Sequence, residues 1–235
     1  MIHRIISVTL FLLLFTCSVN AQTQQIIPIY SSKNLKNNTL KIYSDSGSLN
    51  IAALKGNVIK LTFFDKLAKS DMDSLTSSSK LLNIRVTQNL DDIFFATDSL
   101  WVVVNKFDLS VRFLKKQNEE LLLKCNSYFL NNADKSISFA LQDNENLTVV
   151  DLKKLNKGAE SPKLKKLHGI RKKCNPLIVS EKGYALCVKK PSRNKVKITT
   201  KNNALKVDER FVPKTFLFLS GSYNEIDKNL KRLNK

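Results

Sequence analysis

Apolar and polar residues alternate with a period of two along most of the first half of the chain. Thr39-Leu40-Lys41-Ile42-Tyr43 alternates, Asp45-Ser46-Gly47-Ser48 supplies turn chemistry, and Leu49-Asn50-Ile51 resumes the alternation. An apolar run over 58–64 follows Lys55-Gly56-Asn57. The same reading predicts strands over 82–86, 92–95, 100–104, 109–113, 120–124 and 139–141. Further on, 176–179 and 184–188 flank Ser180-Glu181-Lys182-Gly183 as a hairpin, and 196–199 with 205–207 form another. Short strands at regular turn spacings predict an all-β sandwich or barrel, and no internal repeat or linker divides the chain.

Two stretches depart from this pattern. Residues 65–80 are polar and Ser-rich, which predicts an exposed loop. Residues 151–173 hold nine Lys or Arg among few apolar residues, with Gly158, Pro162 and Gly169, and are expected to form a long, mobile, basic loop.

The last stretch changes period. Phe216-Leu217-Phe218-Leu219 reads as a closing strand, and Ile226, Leu230 and Leu233 then recur at i, i+4 and i+7. Ser222 followed by Glu225 is a capping box, so a terminal helix is expected over 222–233. Its apolar face has to pack back on the sheets or meet a partner.

Arg4, the apolar stretch from Ile5 to about Cys17, and Val19-Asn20-Ala21 before Gln22 have the form of a secretory signal over 1–21. The expected product is secreted or periplasmic, with 22–235 as a single domain. A lipoprotein anchored through Cys17 is disfavoured, because bulky Phe15 stands where a small residue is wanted. No second long apolar stretch exists to span a membrane. The formal net charge of +19 favours acidic partners, although a Lys- and Asn-rich genome would contribute to it.

Cys125, Cys174 and Cys187 follow the signal. Cys174 with Cys187 is the pair best placed for a disulfide, and isolated buried thiols are the alternative. With His168 the three could in principle make a zinc set, but no pair has the close spacing of a structural site, so no metal and no cofactor is expected. His168 is the one histidine after the signal, and no local motif accompanies it to build a triad. The carboxylate pairs Asp71/Asp73, Asp91/Asp92, Glu119/Glu120 and Asp143/Glu145 lie in or beside turns, where solvated acidic residues are ordinary. Trp101 sits in an apolar run, which predicts core packing, with stacking on a sugar ring as the alternative.

Three stretches taken in order carry a resemblance. They are TLKIYSDSGSLNIAALKGNVIKLTFF (39–64) with the strand series around 97–113, ISFALQDNENL (137–147), and NPLIVSEKGYALCVKKP (175–191) with FLFLSGSYNEIDKNLKRL (216–233). Together they resemble the N-terminal domain of glycoside hydrolase family 31, the α-glucosidase and α-xylosidase family. The resemblance implies a galactose-mutarotase-like β-sandwich of antiparallel strands with a C-terminal α-helix. It also implies that the catalytic Asp residues belong to a (β/α)8 barrel that follows the helix, so the sandwich by itself is expected to lack them. There are departures: Thr148 stands where the family has Tyr, and Val149-Val150-Asp151 replaces its glycine turn.

The resulting expectation is a non-catalytic sandwich, with Asn144, Glu145 and Trp101 as candidate carbohydrate contacts and a carbohydrate or a separate barrel chain as partner. One alternative is a polyanion- or protein-binding module acting through Lys163, Lys165, Lys166, Arg171, Lys172 and Lys173. Another is a fragment of a split glycosidase.

Overall fold

The computed structural model describes residues 29–65, 82–126, 128–129, 136–151, 170–172, 176–188, 196–201, 203–208 and 214–233. The expected signal segment, nearly all of the two expected loops, and Cys174 lie outside these residues. So do Lys163, Lys165, Lys166, His168 and Lys173.

Among the described residues the chain forms seventeen strands and one helix. It opens with an antiparallel meander of β1 (Tyr30–Lys36), β2 (Thr39–Ser44), β3 (Gly47–Lys55) and β4 (Val58–Asp65). A second meander follows through β5 (Arg85–Gln88), β6 (Asp92–Ala96), β7 (Leu100–Asn105), β8 (Val111–Lys115), β9 (Leu121–Cys125) and β10 (Ser136–Ala140). The chain then alternates between the two sheets. β11 (Leu147–Asp151) joins the first and β12 (Ile170–Lys172) the second; the hairpin β13 (Pro176–Ser180) and β14 (Tyr184–Val188) joins the first. The hairpin β15 (Val196–Lys201) and β16 (Ala204–Asp208) returns to the second. β17 (Lys214–Ser220) closes the first sheet and leads into α1 (Tyr223–Leu233).

The first sheet has eight strands in the order β1-β2-β3-β4-β17-β14-β13-β11, and the second has nine in the order β12-β15-β16-β10-β9-β8-β7-β6-β5. The last strand is therefore central: β17 pairs with β4 on one side and β14 on the other, joining the opening meander to the late hairpin.

The period of two decides which residues make the core. Leu40, Ile42, Leu49, Ile51, Ile59, Leu61 and Phe63 from one sheet meet Ile93, Phe95, Val102, Val104, Val111 and Phe113 from the other. Aromatic pairs bridge the layers, Phe139 of β10 meeting Phe216 of β17 edge-on at 5.5 Å. All-β architecture, two antiparallel sheets and a C-terminal helix stand as expected.

The helix packs back on the molecule. Ile226 and Leu230 lie against Val58, Leu177, Ala185, Cys187 and Leu219, on the face of the eight-stranded sheet away from the sandwich core. Ser222 and Glu225 close the capping box reciprocally: Ser222 N donates to Glu225 Oε2 at 2.8 Å, and Glu225 N to Ser222 Oγ at 3.4 Å. Gly221 between strand and helix has φ +133°, and a Cβ there would stand 2.7 Å from Glu225 Oε2. At Asn229 the helix is tied to the β3–β4 turn, its amide accepting from Lys55 Nζ at 2.8 Å and donating to Asn57 Oδ1 at 3.2 Å.

Several expectations need correction. The stretch read as basic loop begins inside β11, where Asp151 pairs with Pro176, and it contains β12, whose Arg171 pairs with Lys197. Backbone pairing thus claims both ends of a segment whose polar composition hid it. The strand expected over 82–86 is formed at Arg85–Gln88. β1 shows no clear alternation of its own, because YSSKNLK sends only Tyr30 towards the core and exposes most of the rest. Its signal was the turn: Asn37 and Asn38 both have positive φ, at 47° and 61°, the geometry of a two-residue hairpin loop that Asn tolerates.

Candidate functional site

The expected carbohydrate contacts do not converge. Asn144 lies exposed in the β10–β11 turn with φ 57°, and Glu145 beside it is turned inward. Glu145 Oε1 accepts from Ser180 Oγ and from the Tyr184 hydroxyl, and Oε2 accepts from Gln142 N at 2.9 Å. All three donors belong to the protein, so Glu145 closes its own turn against β13 and β14. Burial first, and then the Glu145 carboxylate, push the Tyr184 hydroxyl far above its ordinary range.

Trp101 lies on the other sheet, and core packing is not its role. On β7, Leu100, Val102 and Val104 face the core, which sends Trp101 to the outer face, where it is half-buried. Register places Ala96 and Leu114 beside it, and Arg85 beyond Ala96. Phe94 stands edge-on to its ring at 6.3 Å and 80°, one of the favoured arrangements of an aromatic pair. The indole Nε1 is shielded from solvent and has no acceptor.

These residues form a cleft of about 710 Å³ on the outer face of the nine-stranded sheet. Phe94, Ala96 and Trp101 are its apolar part, Thr87 contributes a hydroxyl, and Thr97 also lines it. Asn83, Arg85 and Lys116 complete it. Thr97 is fixed by the fold: its hydroxyl donates to Gly56 O and accepts from Leu100 N at 3.0 Å, linking the β6–β7 turn to the β3–β4 turn. Lys116 Nζ donates to Thr97 O at 3.0 Å, which brings the β8–β9 turn to the same end. A second cleft, lined by Asp98, Ser99, Lys116, Gly183 and Ser222 among others, adjoins the first through Lys116.

None of the described residues that line the first cleft is a carboxylate. Members of three acidic pairs noted in the sequence are used elsewhere. Asp92 binds Arg112 at 2.7 Å, Glu120 binds Lys115 at 2.8 Å, and Asp143 accepts from Asn203 at 2.8 Å. Asp71 and Asp73 lie outside the described residues. The cysteines considered for zinc are also separated, with Cys125 in the sandwich core and Cys187 beneath α1 on the far face of the other sheet. Of the basic residues considered for polyanion binding, Arg171 and Lys172 are in β12, and the other four lie outside the described residues. No helix among the described residues is long and apolar enough to cross a membrane.

The cleft was only partly visible in the sequence. Trp101 stood out as the single Trp, but Arg85 and Lys116 carried no signal, because strand pairing alone brings them to it.

No protein-family model matches the chain, and no curated protein matches it. Solved structures do. A GH31 dextranase of Flavobacterium johnsoniae complexed with isomaltotriose superposes with a TM-score of 0.62 at 14% identity, over 88% of this chain and 28% of that one. A GH31 α-xylosidase from a soil metagenome complexed with xylose gives 0.59 at 15%, over 82% and 32%. The cycloalternan-forming enzyme of Listeria monocytogenes gives 0.63 at 10%, over 87% and 22%. The chain thus spans between about a fifth and a third of each of these enzymes. What it shares with them is a fold: the chain is a β-sandwich of the kind that forms one part of glycoside hydrolase family 31 enzymes.

Proposed function

We propose that this chain is an exported, non-catalytic saccharide-binding sandwich, with its site at the Trp101 cleft. The observation that carries the reading is an aromatic surface, Trp101 with Phe94 edge-on to it, on an outer sheet face and bordered by Thr87 and Asn83. Sugar rings present apolar C–H faces ringed by hydroxyls, and an aromatic surface bordered by a few polar groups matches both features. The indole N–H lacks an acceptor, and a ligand that opens the cleft wall would supply one. The fold likeness to enzymes solved with isomaltotriose and xylose supports saccharide as the ligand class. That none of the described lining residues is a carboxylate supports a non-catalytic role, because retaining and inverting glycosidases typically need two facing carboxyl groups.

Trp101 is the only Trp in the chain, so its fluorescence reports on this cleft directly. Titration with isomaltotriose, maltotriose and xylotriose should shift its emission, and Trp101→Ala should abolish binding heat in calorimetry. Saccharide binding that survives Trp101→Ala would place the site elsewhere. Hydrolysis of aryl α-glucosides abolished by a single carboxylate substitution would overturn the non-catalytic reading.

A further inference from the structure

We infer that the ligand of this cleft is an acidic saccharide, one whose sugar ring lies at Trp101 and whose carboxylate or sulfate meets Arg85. The inference rests on the saccharide reading above and narrows it to a chemical class.

The argument is one of charge and engagement. Among the described residues the cleft is lined by two cations, Arg85 and Lys116, and by no carboxylate; Asp98 stands close by, accepting from Asn83 Nδ2 at 3.4 Å. Two cations on the same sheet are neutralised: Arg112 is held by Asp92 at 2.7 Å and Lys115 by Glu120 at 2.8 Å. Arg85 differs from both. It is exposed, and no hydrogen bond or ion pair engages its guanidinium among the described residues. Lys116 gives one of its three donors to Thr97 O and keeps two for a ligand.

Position agrees with charge. Arg85 pairs with Ala96 and Ala96 with Trp101, so all three point to the same face. Arg85 therefore stands two strands from the indole, about 10 Å away at the backbone. A long Arg side chain reaches back over Ala96 from there to a group carried by a sugar ring seated on Trp101. A planar guanidinium with paired donors matches a carboxylate or sulfate bidentately, which a neutral hydroxyl cannot reproduce. The net charge of +19 draws such ligands to the protein in general, and the unengaged arginine selects where they dock.

The test uses Trp101 fluorescence with four probes at moderate salt: trigalacturonate for carboxylate, a heparin-derived tetrasaccharide for sulfate, maltotriose as neutral sugar and oligothymidylate as a polyanion that is not a saccharide. Proteins are the wild type and Arg85→Gln, an exposed substitution that leaves the core untouched. At least one acidic saccharide should bind about tenfold more tightly than maltotriose. Arg85→Gln should remove that preference, weakening the acidic saccharide about tenfold more than it weakens maltotriose, and rising salt should erode the preference in the wild type. Equal affinity for neutral and acidic sugars, insensitive to Arg85→Gln, would overturn the acidic class and leave the saccharide reading standing. Binding of oligothymidylate as tight as that of the acidic sugars would show that charge, not sugar, is recognised, and would overturn it too. No response to any saccharide would bring down both.

Discussion

The ring of Phe113 on β8 lies flat on that of Phe218 on β17, with centroids 3.9 Å apart and planes 12° from parallel. Phe218 also faces Tyr184 on β14 at 5.7 Å and 21°, so one side chain of the last strand holds both layers. Phe218→Ala removes a fully buried ring at the point where the two sheets meet, and should cost about 3–5 kcal/mol. Urea unfolding should show the loss as a lower midpoint, with Phe218→Leu losing less.

Glu145 was expected to touch sugar, and the structure gives it a different task. Its carboxylate accepts from Ser180, Tyr184 and the Gln142 backbone. Glu145→Ala leaves the Tyr184 hydroxyl without its acceptor and the Gln142 N–H without a partner, a loss of about 2–4 kcal/mol in all. Affinity at the Trp101 cleft should not change, provided binding is measured well below the lowered melting temperature. Weakened saccharide binding without lost stability would return Glu145 to the site.

At the C-terminal helix, the apolar face and the cap should differ in weight. Ile226→Ala strips a residue buried against Val58 and Leu219, and should cost about 2–4 kcal/mol. Ser222→Ala removes an exposed N-cap and should cost about 1 kcal/mol. The Lys231–Asp227 pair, more than half exposed on its Lys side, should matter least, because surface i,i+4 pairs contribute about 0.3–0.5 kcal/mol. Denaturant midpoints of the three single variants rank them.

Legibility in the sequence followed burial. Strands with one face in the core, such as β2 with Leu40 and Ile42, announced themselves by alternation. The helix announced itself through Ser222, Glu225 and its spaced apolar residues. Strands that bury little carry no such mark: β1 contributes only Tyr30 to the core, and β12 is three residues of a basic run. Trp101 was misplaced because Val102, Val103 and Val104 around it are all buried, which hides the alternation that turns it outward. The cleft depends on pairing between strands, with Arg85 sixteen residues from Trp101 in sequence and two strands away in space. Sequence spacing carries no trace of that.

Alkaline pH should destabilise the protein through the buried thiol of Cys125. Cys125 is enclosed in the core, its S–H donating to Asn126 O at 3.5 Å, and burial pushes its ionisation far up. In the unfolded chain a thiol ionises near pH 8.5. Below that pH both states hold the proton and the contribution is fully present. Above it the unfolded state loses a proton the native state keeps, so stability falls by about 1.4 kcal/mol per pH unit. Tyr184, also raised by burial, adds a similar slope from about pH 10. Between about pH 8.5 and 10, Cys125→Ala should therefore lose less stability than the wild type, despite a lower starting value. Parallel curves for the two proteins would refute the assignment.

Asn50 offers the opposite kind of change. It sits on β3 between Leu49 and Ile51, which face the core, so its own side chain points to the sheet's outer face. There it is only 1% exposed, and neither its amide nitrogen nor its oxygen has a hydrogen-bond partner. Its flanking partners are Lys41 on β2 and Thr62 on β4, and the Thr62 hydroxyl is already within 3.3 Å of that of Thr215. A buried amide that pairs with nothing costs about 1–3 kcal/mol, and Asn is poorly suited to a strand interior. Val removes both penalties with a side chain of similar bulk. Asn50→Val should raise the melting temperature by several degrees, about 1–2 kcal/mol in stability. If it lowers stability instead, the amide has a partner in solution, and hydrogen–deuterium exchange along β3 in the variant would show which strand loosens.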